Sequence, residues 1–117
     1  MKVLIVDDSK TVHFFIKGLL PDEFDFSDAF DGVQAVDILD KETFDIILLD
    51  WEMPNLNGFE TLKAVRAKGI ETPVIMVTSV NKMENIAASL EAGANEYIMK
   101  PFDSEIIESK FAQTGLL

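Results

Sequence analysis

Three short apolar runs constrain this chain more than any other feature: "VLIV" at Val3–Val6, "IILL" at Ile46–Leu49 and "VIMV" at Val74–Val77. Each run is continuous rather than alternating. A strand of that kind has no face to offer to water, so it belongs in a sheet covered on both sides, as parallel sheets are. Each run also stops at polar residues: Asp7-Asp8, Asp50 and Thr78-Ser79. Asp25–Phe30 and Glu96–Met99 are weaker strand candidates, and the last of these leads into Lys100-Pro101.

The stretches between the runs carry a helical period. Val12, Phe15, Ile16, Leu19 and Leu20 fall on one stripe, as do Val33, Val36 and Leu39, then Phe59, Leu62 and Val65, then Met83, Ile86, Ala87 and Leu90. Asn81 with Glu84 three residues on has the form of a capping box. Asp103 is placed to cap a last helix running to about Gln113, and Lys68-Gly69 and Ala92-Gly93 have the form of helix exits. The result is a βαβαβαβαβα alternation. It predicts an α/β fold with a five-stranded parallel sheet, helices on both faces and right-handed crossovers. The flavodoxin-like strand order 2-1-3-4-5 fits five strands in 117 residues. That length suits one domain, spanning residues 1–117.

Composition narrows the function. The net charge is −11, from 21 acidic and 10 basic residues, so phosphate backbones are repelled and nucleic acid is excluded as a partner. Metal cations and cationic partners are favoured. The chain has no cysteine, and with 48% hydrophobic residues it can bury a core. No apolar run approaches the roughly 18 residues of a membrane span, and no signal peptide is present, so the expectation is a monomer in the cytoplasm.

In an open α/β sheet, ligands bind beyond the carboxyl ends of the strands, near the point where strand order reverses. In the predicted topology that edge collects Asp7, Asp8, Asp50, Thr78 and Lys100. Three carboxylates a few ångströms apart repel one another, so either some take up protons or a cation joins them. An all-oxygen set suits Mg²⁺, and the lack of a Cys or His ligand argues against Zn²⁺. Lys100 can pair with Asp50 or with an incoming anion. A hard cation, an ammonium and a hydroxyl around a carboxylate form a constellation for phosphoryl transfer, with the carboxylate as nucleophile. His13, the lone histidine, is expected in an ordinary surface or flanking position on the first helix.

Four segments in order, "VLIVDDS", "IILLDWEMPNLNG", "PVIMVTS" and "EAGANEYIMKPF", resemble the CheY-like receiver domains of two-component response regulators, over essentially the whole chain. The resemblance implies that Asp50 accepts a phosphoryl group from a sensor histidine kinase. It implies Mg²⁺ held by the Asp8 and Asp50 side chains and the Glu52 backbone carbonyl, with Asp7 acting through water. Lys100 and Thr78 would bind the phosphoryl group, and the Trp51 and Ser79 N–H groups would complete its cradle. Tyr97 would be the aromatic switch residue, and the Lys100-Pro101 peptide would be cis. Such a protein is a switch that promotes its own phosphorylation and dephosphorylation, rather than an enzyme acting on a separate substrate. Glu52 and Val80 border the expected path of attacking water, so phosphoryl lifetime depends on them. No output domain follows, so the signal is expected to leave by contact with a downstream target, such as a flagellar motor or a phosphotransfer protein. Chemotaxis and a phosphorelay are both open. Two rivals remain: a haloacid-dehalogenase-like phosphohydrolase, suggested by "LDWE", and a receiver-like binding module that is never phosphorylated.

Overall fold

A computed structural model describes residues 1–115. The elements are β1 (Lys2–Val6), α1 (Lys10–Leu19), β2 (Asp25–Ala29), α2 (Gly32–Leu39), β3 (Ile46–Leu49), α3 (Gly58–Ala67), β4 (Val74–Thr78), α4 (Met83–Glu91), β5 (Glu96–Met99) and α5 (Ser104–Gln113). The sheet is wholly parallel, in the order β2-β1-β3-β4-β5. This is the expected flavodoxin-like architecture.

The continuous apolar runs do what their pattern requires. Along β1, Val3 and Ile5 enter one core while Leu4 and Val6 enter the other. The first core is closed by Ile16 of α1 and by Ile107 and Phe111 of α5. The second is closed by Ala35 of α2 and by Leu62 and Val65 of α3. Side-chain alternation along a strand makes both cores necessary, because β1, β3 and β4 carry apolar residues on both faces of the sheet.

Helix ends follow local chemistry. Ser9, Asp31, Asn57 and Asp103 each accept a backbone N–H of the first turn of their helix, and Asn57 with Glu60 forms a reciprocal capping box. The Asp103 cap, the end at Gln113 and the exits at Gly69 and Gly93 are as expected, with φ of 79° and 113° at the two glycines. The box expected at Asn81 does not form. The cap of α4 is Lys82, without a side-chain hydrogen bond.

Three of the helical stripes are buried only in part: Ile16 and Leu20 of α1 reach one core and Leu39 of α2 packs against the other, but other members face water. Phe15 of α1, Val33 of α2 and Met83, Ala87 and Leu90 of α4 are exposed, Met83 by 74%. In α2 the reason is close approach to α3. Helix α2 buries Gly32 and Ala35, and a Cβ at Gly32 would lie 2.0 Å from Thr61 Oγ1. Helix α4 buries Ser89 and half-buries Ala88 and Ala92. Gly32, Ala35 and Ser89 are the fully buried positions of these helices, Ile38 and Leu39 pack at the edge of the second core, and Val33, Met83 and Leu90 turn outward.

Candidate functional site

Strand register builds the site. Val6 pairs with Leu49, so the next residues, Asp7 and Asp50, leave the sheet side by side. The Asp50 N–H donates to the Val6 carbonyl (2.9 Å), and the Asp7 N–H donates to the Ala29 carbonyl (3.1 Å). On the other flank Thr78 pairs with Met99, and the Lys100 N–H donates to the Thr78 carbonyl (3.0 Å). The peptide from Lys100 to Pro101 is cis. Gly58 closes the loop after Asp50: its N–H donates to the Trp51 carbonyl (2.8 Å), and any Cβ there would strike the Asp50 carbonyl at 1.9 Å.

Asp7, Asp8 and Asp50 each offer a carboxylate oxygen, and these oxygens lie within 4.8 Å of one another. Asp7 and Asp50 are buried, while Asp8 is exposed. Lys100, half-buried, places its ammonium 2.9 Å from Asp7 Oδ2 and 3.6 Å from Asp50 Oδ2. It therefore binds Asp7 more closely than Asp50, the partner expected from sequence. Asp7 Oδ1 is already engaged by the Ser9 N–H (2.9 Å), which leaves Oδ2 turned to the lysine. One ammonium does not balance three carboxylates. Burial pushes the Asp50 carboxyl above the usual carboxylate range and the charge on Asp7 adds to this, while Lys100, the Thr78 hydroxyl and the Trp51 N–H act the other way. The Trp51 N–H donates to Asp50 Oδ1 at 2.8 Å.

The remaining expected residues surround this cup. Thr78 is buried, and its hydroxyl accepts the Val80 N–H (3.2 Å). Tyr97 is half-buried, and its hydroxyl donates to the Val80 carbonyl (2.7 Å). Val80 is thus gripped from both sides, by Thr78 and by Tyr97. Burial raises the Tyr97 phenol, and the charge on Asp50 raises it further. Ser79 is exposed at the mouth. The Glu52 carboxylate is exposed and stands outside the clustered acids; the expectation for that residue concerns its backbone carbonyl. Trp51 is half-buried and stacks on Phe59, with ring centroids 5.2 Å apart.

His13 departs from expectation. It is 3% exposed, neither on the surface nor at its edge. Its ring stacks on Phe30 at 4.6 Å, Nδ1 lies 2.6 Å from Asp28 Oδ1, and Nε2 lies 2.8 Å from the Asp7 carbonyl oxygen. Its spacing was the available signal. His13, Ile16 and Leu20 stand at i, i+3 and i+7, and all three are buried. The stripe through Val12, Phe15, Ile16, Leu19 and Leu20 shares two of these positions but leaves His13 out.

The site's chemistry fits a hard divalent cation: an all-oxygen, net negative cluster with a carboxyl pushed up by burial and by the neighbouring charge on Asp7. No helix among the described residues is long and apolar enough to cross a membrane. The family model for the response regulator receiver domain matches residues 3–112. The chain is 40% identical over 114 residues to the chemotaxis protein CheY of Pseudomonas aeruginosa, covering 94% of this chain and 92% of that one. It is 41% identical over 115 residues to a chemotaxis protein CheY homolog of Campylobacter jejuni, covering 94% and 88%. The solved structure of chemotaxis protein CheY4 of Vibrio cholerae superposes with a TM-score of 0.87 at 33% identity, covering 99% of this chain and 98% of that one.

Proposed function

This chain belongs to the response regulator receiver-domain family, and on that premise we propose that Asp50 is its phosphoacceptor. Receiver domains act as signalling switches, take their phosphoryl group from a histidine kinase and pass the signal to a downstream target. Here the Asp50 carboxylate attacks phosphorus, an Asp50 O–P bond forms, and the N–P bond of the kinase phosphohistidine breaks, leaving the imidazole as leaving group. One observation carries the assignment: Asp50 is buried at the end of β3, with oxygens of two further carboxylates within 4.8 Å and an ammonium at 3.6 Å.

The chain's own groups supply the rest. Mg²⁺, when bound, draws charge off the phosphoryl oxygens. Asp8, Asp50 and the Glu52 carbonyl would hold it, and Asp7 would act through water because Ser9 and Lys100 already occupy its carboxylate. Lys100 carries the charge complement to the phosphoryl group, and the Trp51 N–H orients Asp50.

Phosphorylation replaces one negative charge with about −1.5 to −2 and adds strong acceptors. The Thr78 hydroxyl is drawn toward them and releases the Val80 N–H, which weakens the hold of Tyr97 on the same residue. The β4–α4 loop then changes with the ring of Tyr97. Glu52 and Val80 at the mouth set access for the hydrolytic water. The domain is one receiver unit over residues 1–117. Its similarity to chemotaxis proteins along nearly its whole length favours a chemotaxis target over a phosphorelay.

The test is incubation with Mg²⁺ and acetyl phosphate. The expected result is one phosphoryl mass gain per chain, lost in Asp50→Asn, together with a Mg²⁺-dependent change in Trp51 emission. Multiple turnover of a generic phosphomonoester would favour the phosphohydrolase reading instead. Mass gain that persists in Asp50→Asn removes the assignment.

A further inference from the structure

The phosphoryl chemistry leaves one buried polar centre without a role. His13 has both ring nitrogens engaged. Nε2 faces the Asp7 carbonyl, which can only accept. Nδ1 faces Asp28. Burial opposes ionisation of Asp28, but the hydrogen bonds and charges of Lys17 and His13 outweigh it and hold that carboxyl below the usual range. Nε2 therefore carries the hydrogen that the Asp7 carbonyl receives, while the contact with Asp28 holds the other edge of the ring.

The donor to Asp7 fills a gap in the ladder. Strand β1 ends at Val6, and among the described residues no backbone N–H reaches the Asp7 carbonyl. With His13 in place, every polar group of Asp7 is held: its N–H by Ala29, its carbonyl by His13, and its carboxylate by Ser9 and Lys100. Asp8 is exposed, and its side chain has no hydrogen-bond partner among the described residues. The Asp7 carbonyl and the Asp8 N–H share one rigid peptide plane. Fixing that carbonyl fixes the position of the Asp8 Cα and its N–Cα bond, which leaves only rotation about that bond to swing the Asp8 side chain.

We infer that His13 is a positioning residue for the cation site: its Nε2–H clamps the Asp7–Asp8 peptide, and Asp28 with Lys17 locks the ring that does so. The inference rests on the assignment of Asp8 and Asp50 as cation ligands. Groups behind metal ligands tune affinity by orienting them, and their loss costs on the order of tenfold or more in binding.

The experiment is Mg²⁺ titration of the full chain, read by Trp51 emission and by calorimetry, with melting temperature recorded for every variant. His13→Phe keeps an aromatic ring against Phe30 and removes both ring nitrogens. His13→Gln places an amide N–H near the Nε2 position and keeps the bond to Asp7. His13→Asn places one near Nδ1 and keeps only the bond to Asp28. The expected dissociation constant rises about tenfold for His13→Phe and His13→Asn and stays within about threefold of wild type for His13→Gln. The contrast between the two amide variants carries the result even if His13→Phe does not fold. Equal losses in His13→Gln and His13→Asn, or no loss in either, overturn the positioning role while leaving the cation site intact. No Mg²⁺ response in the wild-type protein overturns the cation site itself, and the inference with it.

Discussion

Two charged centres meet at Asp7, and they are built in opposite ways. The cup gathers three carboxylates around one ammonium. The centre behind it gathers His13 and Lys17 around one carboxylate, Asp28. The same residue type responds in opposite directions. Asp28 is held below the usual carboxylate range because its neighbours donate to it, and Asp50 is pushed above that range because it is buried beside another acid. Charge balanced within the fold serves the fold. Charge left unbalanced at the mouth of a sheet is available to a ligand.

The largest test of this contrast is Asp50→Asn. It should abolish phosphoryl incorporation, and it should also stabilise the metal-free protein, because an uncompensated charge is removed. A rise of about 4 °C in melting temperature is expected. Asp28→Asn should lower the melting temperature. Shifts of the same sign in the two variants would break the comparison.

Lys100→Met comes next. It removes the cup's ammonium and leaves buried Asp7 without its ionic partner. Phosphorylation from acetyl phosphate should slow by about 100-fold, and stability should fall by about 2 kcal/mol in urea unfolding, below the full cost of breaking a buried pair because Lys100 is partly solvated. A variant that folds as well as wild type would place the ion pair outside the structural role given to it.

Mg²⁺ itself sharpens the contrast. At about a hundredfold its dissociation constant it should stabilise the wild-type protein by about 2.7 kcal/mol. Asp8→Asn and Asp50→Asn should lose most of that gain, while Asp28→Asn, which loosens the lock on His13 without removing a ligand, should lose less of it. Thermal melts with and without the metal measure all three.

The smallest effect is in pH. Asp28 has a lowered folded-state value, so its stabilisation is present above the ordinary 3.8 and is lost as pH falls through the lower folded value. The carboxylate is about one-third solvated, so the gain is below about 1 kcal/mol. Asp50 has a raised value, so stability declines as pH climbs from the ordinary value through the raised one. Urea unfolding of wild type and the two Asn variants between about pH 3 and pH 7 separates the two slopes.

Much of this was legible before the structure. The five strands, their order and their carboxyl-edge residues follow from continuous apolar runs that stop at polar groups. Asp7, Asp8, Asp50, Thr78 and Lys100 meet where that order predicts. The failures have a common cause. Val33, Met83 and Leu90 fit a helical period, yet Gly32, Ala35 and Ser89 are the fully buried residues of their helices, and Gly32 is where α2 closes on Thr61 of α3. His13 reads as an ordinary surface or flanking residue because its partners lie six residues back at Asp7 and fifteen ahead at Asp28, where no local period records them.

The sequence by itself determined the alternation of elements, the two-sided burial of the sheet and the set of residues at its carboxyl edge. Those depend on local hydrophobic period, and period is written along the chain. Only the tertiary structure decided that Lys100 sits closest to Asp7, that Gly32, Ala35 and Ser89 are the fully buried positions of α2 and α4, and that a histidine supplies the donor the β1 ladder lacks. Each of these turns on distances of a few ångströms between segments far apart in sequence, and no periodicity records them.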